Sequence, residues 1–201
     1  MARDIWIVSD THFRHENILK FTDSRTGNRI RPEFDTVEDM DEFMVDRWNS
    51  VVKPGDYVYH LGDVMMGPKE GFVPFFNRLR GSKRITFGNH DDIKWLSSTG
   101  MFAKSYIWRV FKEHGLIMSH IPIHSSSLKL GEDGEPMINV HGHIHQNDSP
   151  AGPYVNLSVE KINYTPVNIE EVRSLWKKQQ SELKSLSTDT EPMFPTAKET
   201  G

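Results

Sequence analysis

The sequence predicts a mixed α/β sandwich, with sheets inside and helices outside. Three observations predict it. Short β-branched apolar runs end abruptly in polar clusters, as at Ile5–Val8 followed by Ser9-Asp10. In the first half these runs alternate with segments of helical period. In the second half they follow one another with only turns between, as hairpins do.

Taken in order, residues 5–8 form the first buried strand, and residues 15–21 a short helix. Residues 22–35 carry Gly27, Pro32 and several charges and form a loop. Thr36, with Glu38 and Asp39 behind it, caps a helix whose apolar positions Val37, Met40, Phe43, Met44 and Trp48 carry it to about Val51. Pro54-Gly55-Asp56 turns the chain into a second strand, 57–61. Residues 69–80 suit a helix interrupted by Pro74 and ended by Gly81. A third strand covers 84–87, and a short helix starts at Asp91. Residues 104–112 alternate, and Glu113-His114-Gly115 turns. Strands follow at 116–118, 137–140 and 154–159. A charged amphipathic helix runs from 168 to about 186, which makes 1–186 one domain. Residues 187–201, with two prolines and few apolar side chains, are expected to be a disordered tail.

Composition narrows the chemistry. The 201 residues contain ten histidines and no cysteine, which excludes a disulfide framework, a thiol nucleophile and any thiolate metal site. A net charge of −4 lacks the basic excess of a surface that tracks long nucleic acid. Apolar runs stay well short of the roughly 20 residues of a membrane span, and the start passes directly into a strand pattern. A soluble cytoplasmic protein is the expectation.

The polar clusters stand where the strands end. They are Asp10-Thr11-His12, Gly62-Asp63, Gly88-Asn89-His90, His120 and Gly142-His143-Ile144-His145. Carboxylate, amide oxygen and imidazole together suit Mn, Fe, Zn or Ni. Residues i and i+2 of an extended segment point to one side, so Asp10 with His12, and His143 with His145, are expected to face one site. The glycines at 62, 88 and 142 allow close backbone approach. Asp10, His12, Asp63, Asn89, His120, His143 and His145 are too many ligands for one ion. They suit two ions sharing a carboxylate, spaced about 3.5–4 Å apart as in two-metal hydrolases.

These five blocks, in this order, resemble the calcineurin-like metallophosphoesterase superfamily over about residues 5–165, and the wording around them is closest to small prokaryotic or phage-type members. The resemblance implies a four-layer αββα sandwich of two mixed β-sheets flanked by helices. It implies Asp10, His12 and His145 on a first divalent ion, Asn89, His120 and His143 on a second, and Asp63 bridging. Manganese is the first choice, with Fe, Zn, Ni or Mg as alternatives. A hydroxide held between the ions would attack phosphorus. His90 would be catalytic, stabilising the transition state or protonating the leaving group.

The protein serine/threonine phosphatases continue their second block to an aspartate that orients the catalytic histidine. Here Met66 stands in its place, with Asp91 or Asp92 as candidates for that duty. Arg14, His15 and His124 are candidate substrate-binding residues, alongside the bland reading of Arg14 and His15 as an exposed loop pair. His60 and His141 fall inside strand patterns and suit hydrogen-bonded roles behind the ligands; His114 is expected in solvent. Phe72, Phe75 and Phe76 read as core, and the lysines at 177, 178 and 184 as a solvated face. The 121–142 insertion, with Gly131 and Gly134, is expected to gate substrate. The expected partner is a small phosphorylated molecule such as a nucleotide, with a diester slightly favoured. A phosphomonoesterase and a non-catalytic metal-binding scaffold on the same fold are the alternatives, and the oligomeric state stays open.

Overall fold

A computed structural model describes residues 3–131 and 134–188, with side chains up to 181. The first sheet has the order β4-β3-β2-β1-β9, from Lys104–Tyr106, Ser82–Thr86, Tyr57–His60, Ile5–Val8 and Val167–Asn168. Only β9 is antiparallel to its neighbour in it. The second sheet runs β5 (Trp108–Phe111), β6 (Leu116–Ser119), β7 (Ile138–His141) and β8 (Tyr154–Asn156). Its β5–β6 pair is antiparallel and the others parallel.

The strand alternation sorts the core into two layers. From β1, Trp6 and Val8 face the helices α1 (Val37–Val51), α2 (Phe72–Phe76) and α3 (Ile93–Ser98), where Met40, Met44, Trp48, Phe72 and Phe76 pack. Ile5 and Ile7 face the second sheet, where Phe111, Leu116, Met118, Ile138 and Val140 meet them. Helix α4 (Val172–Thr188) lies along β8, with Trp176 Nε1 donating to the Gly152 carbonyl at 3.1 Å.

Most elements stand where their periodicity puts them. Thr36 caps α1, its hydroxyl accepting the Asp39 N–H at 3.1 Å. Four expectations need correction. The 69–80 helix shrinks to Phe72–Phe76, and Pro74 sits in its first turn, where a missing N–H costs nothing. The 104–112 strand is two strands in different sheets, broken at Ile107. Residues 154–159 are a strand only to Asn156, and Val159–Lys161 coil into a 3-10 turn. The pair of residues forming β9 is too short to carry a periodic signal. Of the tail expected at 187–201, Ser187 and Thr188 belong to α4, and residues 189–201 lie outside the described residues.

Register brings the functional loops to one edge. Val8 pairs with His60, and His60 with Ile85, so β1, β2 and β3 end nearly level. Ser9 then fastens the two sheets, donating its N–H to the Leu157 carbonyl (3.0 Å) and accepting from Val159 N–H (3.1 Å). The carboxyl ends of both sheets meet in one crevice.

Candidate metal centre

The strand ends do not continue extended. Asp10, His12, Asp63, His143 and His145 all have left-handed backbones, with φ of 57°, 47°, 54°, 70° and 50°. This corrects the expectation that alternation along an extended segment turns Asp10 with His12, and His143 with His145, to one side. Each such residue stores roughly 1–2 kcal/mol. The loops hold that strain by hydrogen bonding to one another: Asp10 N–H to Gly62 O (3.1 Å), His12 N–H to Asp63 O (3.0 Å), and Gly142 N–H to His120 O (2.8 Å).

The glycine at 142 is required by contact rather than by φ. A Cβ there would lie 2.0 Å from Ser9 Oγ and 2.1 Å from Asp10 Oδ2. Gly88 is equally confined, 2.1 Å from Asp63 Oδ1.

Two donor groups result. Asp10, His12 and His145 form one, and Asp63, His120 and His143 the other; within each, one ligand atom per residue lies within 4.8 Å of the rest. Asn89 joins the second, its Oδ1 2.9 Å from both His120 Nε2 and His143 Nδ1. Asp63 Oδ2 stands between the groups, 3.5 Å from His12 Nε2 and 3.5 Å from His120 Nε2.

The donor set tests its own fitness for cations. His120 Nδ1 sits 2.8 Å from the Leu61 carbonyl, which can only accept, so Nδ1 carries the proton and Nε2 presents a lone pair. In that tautomer the Nε2 lone pair faces the Asn89 oxygen at 2.9 Å, a pair of acceptors that a shared cation would satisfy. Glu160 sets His145 in the same way, with Oε1 3.0 Å from Nδ1. Both nitrogens of His12 and Oδ1 of Asp10 are buried without a hydrogen-bond partner. Burial pushes the Asp10 carboxyl up and the His12 imidazole well down from their ordinary ranges. Both shifts disfavour charge in the bare pocket, and a bound cation reverses that for the carboxylate. The residues fit divalent ions.

His90 lies beside this centre. Its N–H donates to Asp63 Oδ1 at 2.9 Å, and its ring stands edge-on to His12 at 5.7 Å. Neither neighbouring aspartate orients that ring. Asp91 accepts from the N–H groups of Asp63, Val64 and Gly88, tying the second and third loops together. Asp92 caps α3 and pairs with Lys69.

Of the substrate-binding candidates, His15 lines a cavity with His12, His90 and His145. Arg14 does not line it. Its guanidinium bonds the carbonyls of Pro68, Glu70 and Gly71, and its backbone N–H donates to Asp41. His124 is exposed and bonded to Ser126, away from the cavity. His60 and His141 are fully buried, and burial lowers them to about 3 and about 4. His60 bonds Thr11, whereas His141 bonds Ser149 and the Gly142 carbonyl. His114, expected in solvent, instead pairs with Glu170 at 3.5 Å. Phe72 and Phe76 are core, with Phe75 packed against them; the Lys184 side chain lies outside the described residues.

Sequence reasoning missed Arg31 and Glu160. Arg31 is fully buried and donates to the carbonyls of Asp10 (2.7 Å) and Thr11 (2.9 Å) and to Glu160 (2.9 Å). Burial would raise the Glu160 carboxyl, but Arg31 and His145 hold it down at about 2. Arg31 sits in a loop without periodicity and gives no signal. Glu160 does follow a strand run, the position every ligand shares. Ser158 was also missed; its hydroxyl donates to Asp10 Oδ2 at 3.0 Å, leaving Oδ1 for an ion.

Among the described residues no helix is long and apolar enough to cross a membrane. The chain is 32% identical over 185 residues to an uncharacterized protein of Methanocaldococcus jannaschii, covering 88% of this chain and 93% of that one. It is 28% identical over 170 residues to the Gene 66 protein of Mycobacterium phage L5, covering 70% and 76%. A crystal structure of a protein of unknown function from Aquifex aeolicus superposes with a TM-score of 0.65 at 25% identity, over 87% of this chain and 100% of that one. A family model described as calcineurin-like phosphoesterase matches residues 3–190. The two donor groups and that match lead to one conclusion: the chain belongs to the calcineurin-like phosphoesterase family, whose chemistry is metal-dependent hydrolysis of phosphoesters.

Proposed function

We propose that this chain is a dinuclear phosphodiesterase acting on a small, nucleotide-like substrate, with residues 1–186 as its single domain. The observation that carries the reading is Asp63 Oδ2 between two groups of carboxylate and imidazole donors, 3.5 Å from an imidazole nitrogen on each side. Asp10, His12 and His145 would hold one ion, Asn89, His120 and His143 the other, and Asp63 both, with manganese the first choice. When bound, two such ions neutralise phosphoryl oxygens and lower the pKa of water toward about 7.

The protein's own part is positioning. Ser158 and the His143 N–H hold Asp10 Oδ2, so that Oδ1 would be left to hold the first ion. Leu61 and Glu160 fix the tautomers of His120 and His145. His90 donates a ring N–H proton to the departing oxygen of the ester. The alkoxide leaving from a diester benefits from that proton, as does one leaving from a monoester; the diester is the slightly favoured reading.

The test uses bis(p-nitrophenyl) phosphate and p-nitrophenyl phosphate with added Mn. Asp63→Asn should lose metal and activity on both. His90→Ala should keep metal and lose roughly 10²–10⁴ in kcat. Faster turnover of the monoester would make it a phosphatase. Metal uptake with no activity on either ester would favour the non-catalytic metal-binding scaffold.

A further inference from the structure

The cavity beside the first donor group measures 390 Å³. That is room for about a dozen waters at about 30 Å³ each, and it falls in the range of organic-ligand pockets, roughly 300–1,000 Å³. A phosphoryl group alone would leave most of it unfilled. His12, His90 and His145 line it, and so do Phe21 and Met66.

Those last two side chains are large, apolar and open, 48% and 40% exposed. Phe21 is nevertheless held. Its N–H bonds the Ile18 carbonyl (3.3 Å), and its own carbonyl accepts from Ile30 (2.9 Å). The His15 ring meets its ring edge-on at 5.6 Å. Gln146, next to His145, clips the following loop by donating to Asp23 Oδ2 at 3.1 Å. An exposed aromatic ring is thus placed beside the first donor group by a braced loop. Met66 adds a polarisable thioether, a group that packs well against rings. Lys20 and Asn17 also line the cavity; Lys20 donates to Asn17 Oδ1 at 3.2 Å, and the pair has further N–H groups to offer.

We infer that this cavity is the subsite for a planar heteroaromatic arm of the nucleobase class attached to the ester phosphorus. Phe21 and Met66 supply the contact faces, and Lys20 and Asn17 the donors to the ring edge. The inference rests on the phosphoesterase reading of the adjoining donor groups and makes Phe21 and Met66 determinants of specificity.

The test is calorimetric binding of three phosphonates, whose C–P bond resists hydrolysis, to the Mn-loaded full chain. The probes are methylphosphonate, phenylphosphonate and the 5′-methylenephosphonate of adenosine. The adenosine probe should bind tightest and methylphosphonate weakest. Phe21→Ala should weaken the adenosine probe roughly tenfold, within the about 5- to 150-fold spanned by base–aromatic stacking. Met66→Ala should weaken it in the same direction. Methylphosphonate binding and metal content should not change, and Phe21→Trp should retain the preference.

Equal binding of all three probes, or equal weakening of all three in the variants, overturns the subsite while leaving the phosphoesterase reading intact. A preference for the phenyl probe with none for adenosine overturns the nucleobase assignment. Absence of metal uptake and of all binding overturns the phosphoesterase reading and the subsite with it.

Discussion

Replacing Glu160 with glutamine should damage both the fold and the metal centre, though Glu160 belongs to neither donor group. Its Oε1 accepts from Arg31 Nε at 2.9 Å, lies 2.8 Å from a second Arg31 nitrogen, and meets His145 Nδ1 at 3.0 Å. The Arg31 side chain is 0% exposed and that of Glu160 3% exposed. The amide keeps the shape and removes the charge, leaving a buried guanidinium without its carboxylate partner. Removing one partner of a buried pair costs about 3–5 kcal/mol. The depression of the carboxyl by its cationic neighbours gives a matching figure. Its pKa falls from 4.5 to about 2, and at 1.36 kcal/mol per unit that is about 3 kcal/mol. The sign is that of a depressed acid: this stability is present above about 4.5 and is lost as pH falls toward about 2. In a chain of this size about 3 kcal/mol lowers Tm by roughly 6–12 °C. With His145 no longer oriented by an anion, metal affinity should fall about 10- to 100-fold. Urea unfolding at pH 7 and Mn titration of the stripped protein measure both. Combining Glu160→Gln with Arg31→Met should cost less than the sum of the two single changes, because no uncompensated charge remains. A Glu160→Gln protein with wild-type Tm and Mn affinity would refute the argument.

Other outcomes follow from particular contacts. Burial raises the Asp41 carboxyl to about 7, so its contribution to stability is present below about 4 and lost as pH rises through 7. Asp41→Asn should therefore match wild type near pH 4 and exceed it by about 4 kcal/mol at pH 8, as urea unfolding at both pH values will test; an equal difference at both would contradict the shift. Gly88→Ala and Gly142→Ala should each cut bound metal more than tenfold, since the new Cβ would strike Asp63 or Asp10, whereas Gly55→Ala, with nothing within 4 Å, should leave it unchanged by elemental analysis. His124→Ala should leave kcat/KM within twofold. Arg14→Ala should lower Tm by several degrees through loss of the carbonyl bonds at 68–71, and a purely kinetic effect would return Arg14 to the substrate side.

Periodicity and composition carried much of this. Strand runs at 5–8, 57–60 and 138–141 and the capped helix at 37–51 were legible because side-chain burial repeats along the chain. The donor blocks were legible because each follows such a run, and a strand's carboxyl end is where a crevice opens. The length of the helix after Gly71 was not, because a proline tolerated in a first turn looks like a proline that breaks one. Nor was the division of 104–111 between two sheets, since an alternating run carries no mark of which sheet it joins.

The sequence by itself determined which atoms are available: ten imidazoles, no thiolate, and carboxylates and an amide at strand ends. Only the tertiary structure decided how they are aimed. Left-handed backbones at Asp10, His12, Asp63, His143 and His145 replace the extended geometry that their spacing suggests. The buried Arg31–Glu160 pair braces the centre from residues 129 positions apart. Such contacts come from the packing of loops between two sheets, where partners are chosen by position in space, and no local pattern in the chain records them.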